Sequence, residues 1–169
     1  MRRALDALYN AAAYVAALFL IGTLVMVLLG IFGRLLNFQV RGTDAYAGYF
    51  MAGAGFLALA STLVRGEHIR VTLVIEHVGP KAQRALELLA LVIGVLLGAL
   101  FAYYSIRLAY QSWDFHDIST GNDATPLWLP QLSMAIGTLV LFVALVDELV
   151  LEWRGARLRK LPEEALHNE

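Results

Sequence analysis

Two Glu-His pairs are the residues of this sequence best suited to chemistry. Glu67-His68 and Glu76-His77 place a carboxylate beside an imidazole twice within a short segment. Both groups are good ligands for transition metals. Their spacing of nine residues, however, fits neither an i,i+4 pair on a helix nor the ligand spacings of known zinc sites. We therefore predict solvated or headgroup-facing side chains, with no metal site and no cofactor.

The remaining polar residues also give no pattern typical of a catalytic site. His116 lies between Asp114 and Asp117 in a polar stretch, where exposure to solvent explains all three. The chain contains no cysteine, which excludes disulfides, thiol nucleophiles and thiolate metal sites. No Ser-His-Asp arrangement and no phosphate-binding loop is recognisable. The sequence therefore does not predict an enzyme.

The charge pattern shows which elements hold these groups. Hydrophobic residues make up 59% of the 169 residues, and only 16% are charged, against about 25% in a soluble domain. Four stretches of 19 to 27 residues contain no Lys, Arg, Asp or Glu: 7–33, 45–64, 88–106 and 124–146. A helix needs roughly 17–25 apolar residues to cross a bilayer. The predicted fold class is therefore an all-α integral membrane protein with four transmembrane helices. A net charge of −1 excludes a typical nucleic-acid-binding module.

We expect one membrane domain over residues 1–169, with an interfacial segment between the second and third spans. Pro80, which follows Gly79, is suited to the first position of the third helix. Thr43 or Asp44 is suited to cap the second helix by accepting a free backbone N–H. The expected boundaries are spans at about 8–33, 45–64, 88–106 and 126–146, an interfacial segment at about 66–79, and a charged tail at 147–169.

The distribution of basic residues predicts the orientation in the membrane. The N-terminus, the 65–87 connection and the tail carry ten Lys and Arg residues, whereas the opposite side carries Arg34, Arg41 and Arg107. By the positive-inside rule, both termini are predicted to be cytoplasmic.

Within the predicted spans there is no ionisable residue, although pumps and ion-coupled carriers usually have them. No pair of Gly/Pro-interrupted half-helices of the kind that builds a midplane substrate site is evident either. Hydroxyl groups are present, but they can bond to carbonyls of their own helix and need not form a site. They belong to Thr23, Ser61, Thr62, Ser105, Ser133 and Thr138. The sequence argues against a lone transporter or proton channel.

Small residues mark the second and third spans. They let two helix backbones approach closely, so they indicate either the centre of this chain's own bundle or a surface that docks a second protein. The glycines predicted to contact a partner are Gly48, Gly53, Gly55, Gly94 and Gly98.

Two motifs together resemble a known family. One is LVRGEHIRV at 63–71, and the other is GNDATPLWLPQ at 121–131, which continues to Ile136-Gly137. With Gly33-Arg34 ending the first span and Asp44 opening the second, the chain resembles the small membrane subunit of tripartite ATP-independent periplasmic (TRAP) transporters, the DctQ family, over about residues 5–154. Thr72 departs from the family, which often has Asp there. The positions that match the family motifs are Arg34, Gly66, His68, Thr125, Pro126, Trp128, Pro130 and Gly137.

The resemblance implies a multi-pass protein of the bacterial inner membrane, surrounded by phospholipid, that forms a heterodimer with a large membrane subunit. That subunit carries the substrate and sodium sites, and a periplasmic substrate-binding protein delivers an organic acid. Uptake is driven by an ion gradient, and the small subunit is a non-catalytic scaffold. The alternatives are a small scaffold subunit of another bacterial membrane complex, such as a tripartite tricarboxylate transporter or a respiratory or secretion assembly, and a membrane-bound enzyme or haem protein.

Overall fold

The described part of the chain consists of four long helices. The computed structural model describes residues 2–38, 40–65 and 79–154. The helices in this part of the chain are α1 (Arg2–Leu35), α2 (Thr43–Val64), α3 (Pro80–Asp114) and α4 (Trp128–Trp153). Each is long and apolar enough to cross a membrane. The predicted class, an all-α membrane protein with four spanning helices, is thereby confirmed. The predicted interfacial segment lies, apart from Gly79, outside the described residues.

Helices α2 and α4 form the centre of the bundle. Helix α2 packs against α1 on one side and α4 on the other, and α3 packs against α4. The central helices bury small residues, among them Gly53, Ala54 and Ala60 of α2 and Ala135 and Gly137 of α4. Small side chains allow close backbone approach, which places these helices in the middle and leaves α1 and α3 with large faces open to lipid.

The helices run alternately up and down, so the bundle has two distinct ends. At the two-loop end, the described residues of the α1–α2 connection (36–38 and 40–42) lie beside the α3–α4 connection (115–127). The opposite end, here the termini end, holds the start of α1 and the end of α4. A hydrophobic core lies towards the termini end, where Tyr9 and Ala12 of α1 pack with Ala60 of α2 and with Val140 and Ala144 of α4.

The helix boundaries confirm one prediction and correct another. Helix α3 begins at Pro80, as predicted. The predicted side-chain cap of α2 is wrong: the capping residue is Gly42, with φ of 79°, and no side chain caps the helix. The left-handed φ of Gly42 is readily adopted only by glycine. Gly42 is therefore the N-cap, and Thr43 is already the first residue of α2. Asp44 instead lies 3.6 Å from the Arg34 guanidinium.

Helix α4 continues past residue 146, where the fourth span was expected to end. It runs on to Trp153 and carries Asp147, Glu148 and Glu152. Glu148 and Glu152 are buried and continue, at four-residue intervals, the inward face of α4 formed by Val140 and Ala144. The inner side of the bundle is thus acidic at its termini end, beyond the predicted span.

Candidate functional site

A hydrogen-bond network fixes the α3–α4 connection to α2 at the two-loop end. The Ser119 hydroxyl donates to Asp123 Oδ1 at 2.8 Å. The Tyr49 hydroxyl of α2 donates to Asp123 Oδ2 at 3.2 Å and lies 3.0 Å from Ser119 Oγ. Both carboxylate oxygens of Asp123 therefore have donors, one from within the connection and one from the helix.

A second contact sits beside this network. The Thr125 hydroxyl donates to the Tyr46 hydroxyl at 2.9 Å, and the rings of Tyr46 and Tyr49 meet edge to face with centroids 6.1 Å apart. Ile118 and Pro126 form an isolated antiparallel bridge across the connection. The connection is therefore a defined platform, pinned to the first turns of α2.

The charge state of Asp123 follows from these bonds. Partial desolvation acts to raise its pKa, but the hydrogen bonds from Ser119, from its own backbone and from Tyr49 outweigh this effect. The pKa of Asp123 consequently lies below its ordinary value, because those donors favour the ionised carboxylate. Asp123 is therefore ionised at neutral pH and accepts the hydrogen bonds of the network.

Next to the platform lies a cavity of about 370 Å³ between the two connections. Its lining includes Arg34, Arg41, Asp44 and Asn122, together with the start of α2 at Gly42. Arg34 and Asp44 form an exposed ion pair, which contributes little to stability. The two guanidinium groups can attract an anionic group of a partner to this end of the bundle.

Helices α2 and α4 approach each other closely at Gly137 of α4. A Cβ placed there would lie 2.6 Å from the Phe56 carbonyl carbon and 2.7 Å from its oxygen. Gly53 of α2 is equally enclosed, since a Cβ there would lie 2.5 Å from the Phe19 ring. The absence of a side chain at these glycines allows α2 to pack closely against α4 and α1.

The two glycines of the third span also pack within the chain. A Cβ at Gly98 would lie 2.8 Å from a Leu145 methyl carbon, and one at Gly94 would lie 3.4 Å from the other. Gly94 and Gly98 therefore face α4. With Gly53, they are three of the five predicted partner-contact glycines, and the structure places all three against the chain's own helices.

Gly48 and Gly55, the other two predicted partner-contact glycines, lie on an open surface of α2. A Cβ at either position would meet nothing within 4 Å in the described structure. Together with the exposed side chains of Met51 and Ala52 they line a shallow groove along α2. We call this surface, formed by Gly48, Met51, Ala52 and Gly55, the open face of α2. A central helix of the bundle thus presents small residues outwards.

The hydroxyl groups inside the helices mostly bond to their own backbone. Among the six singled out from the sequence, five donate to a carbonyl three or four residues earlier, at 2.7 to 3.1 Å: Thr23, Ser61, Thr62, Ser133 and Thr138. The Ser105 hydroxyl is buried without a hydrogen-bond partner in the described structure. Five of the six are therefore not gathered into a polar site for a solute.

A comparison of the sequence with protein families shows which family the chain belongs to. The family model described as "Tripartite ATP-independent periplasmic transporters, DctQ component" matches residues 23–155. The chain belongs to the DctQ family. No curated protein and no solved structure matches it. Membership confirms the resemblance seen in the motifs, and with the four apolar helices it identifies a multi-pass membrane component of a TRAP transporter.

Most of the motif positions of this DctQ chain lie at the two-loop end. Arg34 lines the cavity, Thr125 and Pro126 belong to the platform, and Trp128 and Pro130 form the first turn of α4. Gly137 lies deeper, at the contact with α2. Gly66 and His68, like the Glu-His pairs, lie outside the described residues.

The structure also describes His116, which the sequence placed among the candidates for chemistry, and residues of the network that were not singled out from the sequence. His116 lies with its Nδ1 3.0 Å from the Asp114 carbonyl oxygen, and the described residues contain no group of three or more metal-ligating side chains. Tyr46, Tyr49 and Asp123 were not singled out from the sequence as functional residues. The available signal for the network was the pair of tyrosines three residues apart at the start of α2, which share one helix face.

Proposed function

We propose that this DctQ-family protein is the non-catalytic small permease subunit of a TRAP transporter. It scaffolds the large ion-coupled membrane subunit for sodium-driven uptake of an organic acid, which a periplasmic binding protein delivers. The main support comes from the DctQ family match over residues 23–155. The hydroxyl groups of the helices agree with a scaffold, since five of the six singled out from the sequence bond to their own backbone. A carboxylate that leaves water needs polar groups to replace its hydration, and these five hydroxyl groups are not gathered into such a site.

The open face of α2 is the surface we propose for the large subunit. Small residues gain little from contact with lipid, but they allow a helix of another protein to approach closely. Gly53, Gly94 and Gly98 already contact the chain's own side chains, whereas Gly48 and Gly55 have room beside them. Of the five glycines predicted from the sequence, we therefore propose Gly48 and Gly55 as the two that contact the large subunit.

We propose that the two-loop end is periplasmic and receives the binding protein. The opposite side of the chain carries ten of the thirteen Lys and Arg residues, which favours a cytoplasmic location for the termini in the bacterial inner membrane. The platform at 115–127 is held by Asp123 and Tyr49, and the adjacent cavity presents Arg34 and Arg41. A rigid surface beside two cationic groups is suited to a partner with acidic residues.

Co-purification tests the scaffold assignment. Gly55→Leu should reduce recovery of the large subunit from detergent-solubilised membranes at least about tenfold, because a buried leucine in a close helix contact forces the helices apart. Ala17→Leu, at an exposed position of α1, is the matched control and should leave recovery unchanged. Equal recovery with both variants would contradict the assignment of the open face of α2.

A further inference from the structure

The cavity between the two connections differs from the apolar grooves of the bundle because charged side chains line it. Arg34 and Arg41 contribute two positive charges and Asp44 contributes one negative charge, so the lining is positively charged overall. The volume of about 370 Å³ lies within the range of about 300–1,000 Å³ that is typical of small-molecule sites. By charge and by size, the cavity suits a small anion.

Close backbone contacts fix the walls of this cavity. A Cβ at Gly33 would lie 2.7 Å from the Phe38 carbonyl oxygen, so the end of α1 touches the α1–α2 connection there. A Cβ at Gly42 would lie 2.6 Å from the Asp123 Cβ, so the two connections also touch each other. Asp123 is in turn bonded to Tyr49 of α2. Walls that are already in place lower the cost of ordering a site around a ligand.

Several donors around the cavity are available to an anion. Arg41 forms no ion pair, and the Asn122 side chain forms no hydrogen bond, within the described residues. Arg34 lies 3.6 Å from Asp44, but the two side chains are 78% and 87% exposed, so this ion pair is weak and Arg34 can turn to a ligand. A guanidinium group donates two parallel N–H bonds to a carboxylate, which makes a carboxylate the best-matched anion.

The polarity of the cavity changes with depth. On α1 its lining runs from Arg34 down to Gly30 and Leu29, which at 1.5 Å per residue corresponds to about 7 Å along the helix. The charged groups therefore lie at the rim, and the floor is apolar. An Asp or Glu side chain of a docking protein would enter with its carboxylate first, towards that apolar floor. A free organic acid can leave its carboxylate at the rim and place its carbon chain below.

We propose that this cavity binds a free organic acid at the two-loop end of the protein. Arg34 and Arg41 hold the carboxylate, Asn122 donates a further hydrogen bond, and the carbon chain of the acid lies against Leu29 and Gly30. The proposal rests on the proposed function, because it takes the ligand to be the acid that the transporter carries. The cavity holds the acid outside the spans and does not move it across the membrane.

The first test measures the charge of the cavity. Since the chain has no native cysteine, Val40→Cys places a single thiol in the lining, and Thr120→Cys places an exposed thiol outside it. The full chain in nanodiscs is labelled at low ionic strength with an anionic and a cationic methanethiosulfonate. The ratio of the anionic to the cationic rate should be at least about fivefold higher for Val40→Cys than for Thr120→Cys, as expected for one net charge about 8 Å away.

Arginine variants show which charges produce that ratio. Added to Val40→Cys, either Arg34→Gln or Arg41→Gln should lower the ratio about fivefold, because each removes one positive charge from the lining. Arg107→Gln is the matched control, since Arg107 is also exposed and lies outside the cavity, and it should leave the ratio unchanged.

The second test uses succinate as the ligand. At constant ionic strength, set with sodium chloride, succinate in the millimolar range should saturably slow the labelling of Val40→Cys by a neutral methanethiosulfonate. Labelling of Thr120→Cys should not change, and uncharged glycerol should have no effect at either position. Arg41→Gln should require at least about tenfold more succinate for the same protection, because it removes a hydrogen bond between charged groups. Arg107→Gln should not alter the protection.

Three results would overturn the proposal. The first is an equal ratio of labelling rates at the two cysteine positions, and the second is protection by succinate no greater than that by chloride. The third is protection by the binding protein, free of any organic acid, when succinate gives none, which would assign the arginines to protein docking. None of these results alters the recovery of the large subunit with Gly55→Leu, so failure of this site and failure of the scaffold function are distinguishable.

Discussion

Gly137→Ala offers the sharpest test of the helix packing. The added Cβ would lie 2.6 Å from the backbone carbonyl carbon of Phe56, whereas ordinary contact begins at 3.4 Å. A backbone group cannot rotate away, so α2 and α4 would have to separate by nearly an ångström. Overpacking of this kind costs about 1–3 kcal/mol. For a chain of this length, that energy corresponds to a decrease in Tm of about 2–12 °C.

Gly55→Ala is the matched control because the same methyl group would meet nothing within 4 Å in the described structure. Both substitutions gain the same helix propensity, about 1 kcal/mol, so the comparison isolates the packing cost. Thermal unfolding of the purified chain in detergent, followed by circular dichroism, measures the difference. If Gly137→Ala melted at or above the temperature of Gly55→Ala, the close crossing of α2 and α4 would be refuted.

Three further predictions concern the platform and the orientation. Because the folded pKa of Asp123 lies below its ordinary value, its contribution to the stability of the platform should be complete above pH about 3.9. That contribution should be lost as the pH falls through the folded pKa. The protection of residues 115–127 against hydrogen exchange, measured relative to the intrinsic rate at each pH, should therefore fall in that acidic range in wild type, and Asp123→Asn should abolish this pH step. Tyr49→Phe removes one donor and should raise exchange there roughly fivefold at neutral pH, as expected for a hydrogen bond worth about 1 kcal/mol; unchanged exchange would contradict the network. Since the chain has no native cysteine, Thr120→Cys should react with an impermeant maleimide from the periplasm, and Arg154→Cys only after permeabilisation; the reverse pattern would contradict the orientation.

The sequence specified the helices well because their signals are local. Stretches without charged residues predict spanning helices whatever their partners, and Pro80 marked a helix start through its fixed φ and missing N–H. The fourth span was expected to end at residue 146, because the charges that follow argued against a continued apolar helix. The structure extends α4 to Trp153, with Glu148 and Glu152 at the four-residue spacing of Val140 and Ala144.

The functional surfaces were less predictable because they depend on which helices pair. Gly53 and Gly55 lie two residues apart in one span, and only the order α1–α2–α4–α3 decides that Gly53 is enclosed while Gly55 is open. Gly137 was identified as a motif position, but its contact with Phe56 spans 81 positions of the chain. The bond between Tyr49 and Asp123 joins residues 74 positions apart, and no local pattern encodes it.

Transport by reconstituted liposomes tests the central claim most directly. The purified chain alone, in liposomes with an inward sodium gradient, should take up no organic acid, because five of the six hydroxyl groups singled out in its described spans bond to their own backbone and do not form a site for a carboxylate. Adding the large subunit and the binding protein together should produce saturable, sodium-dependent uptake, and omitting the small subunit should abolish it. Saturable, sodium-driven transport by this chain alone would contradict the scaffold function and direct attention to the unpartnered Ser105 hydroxyl and to Arg34 and Arg107.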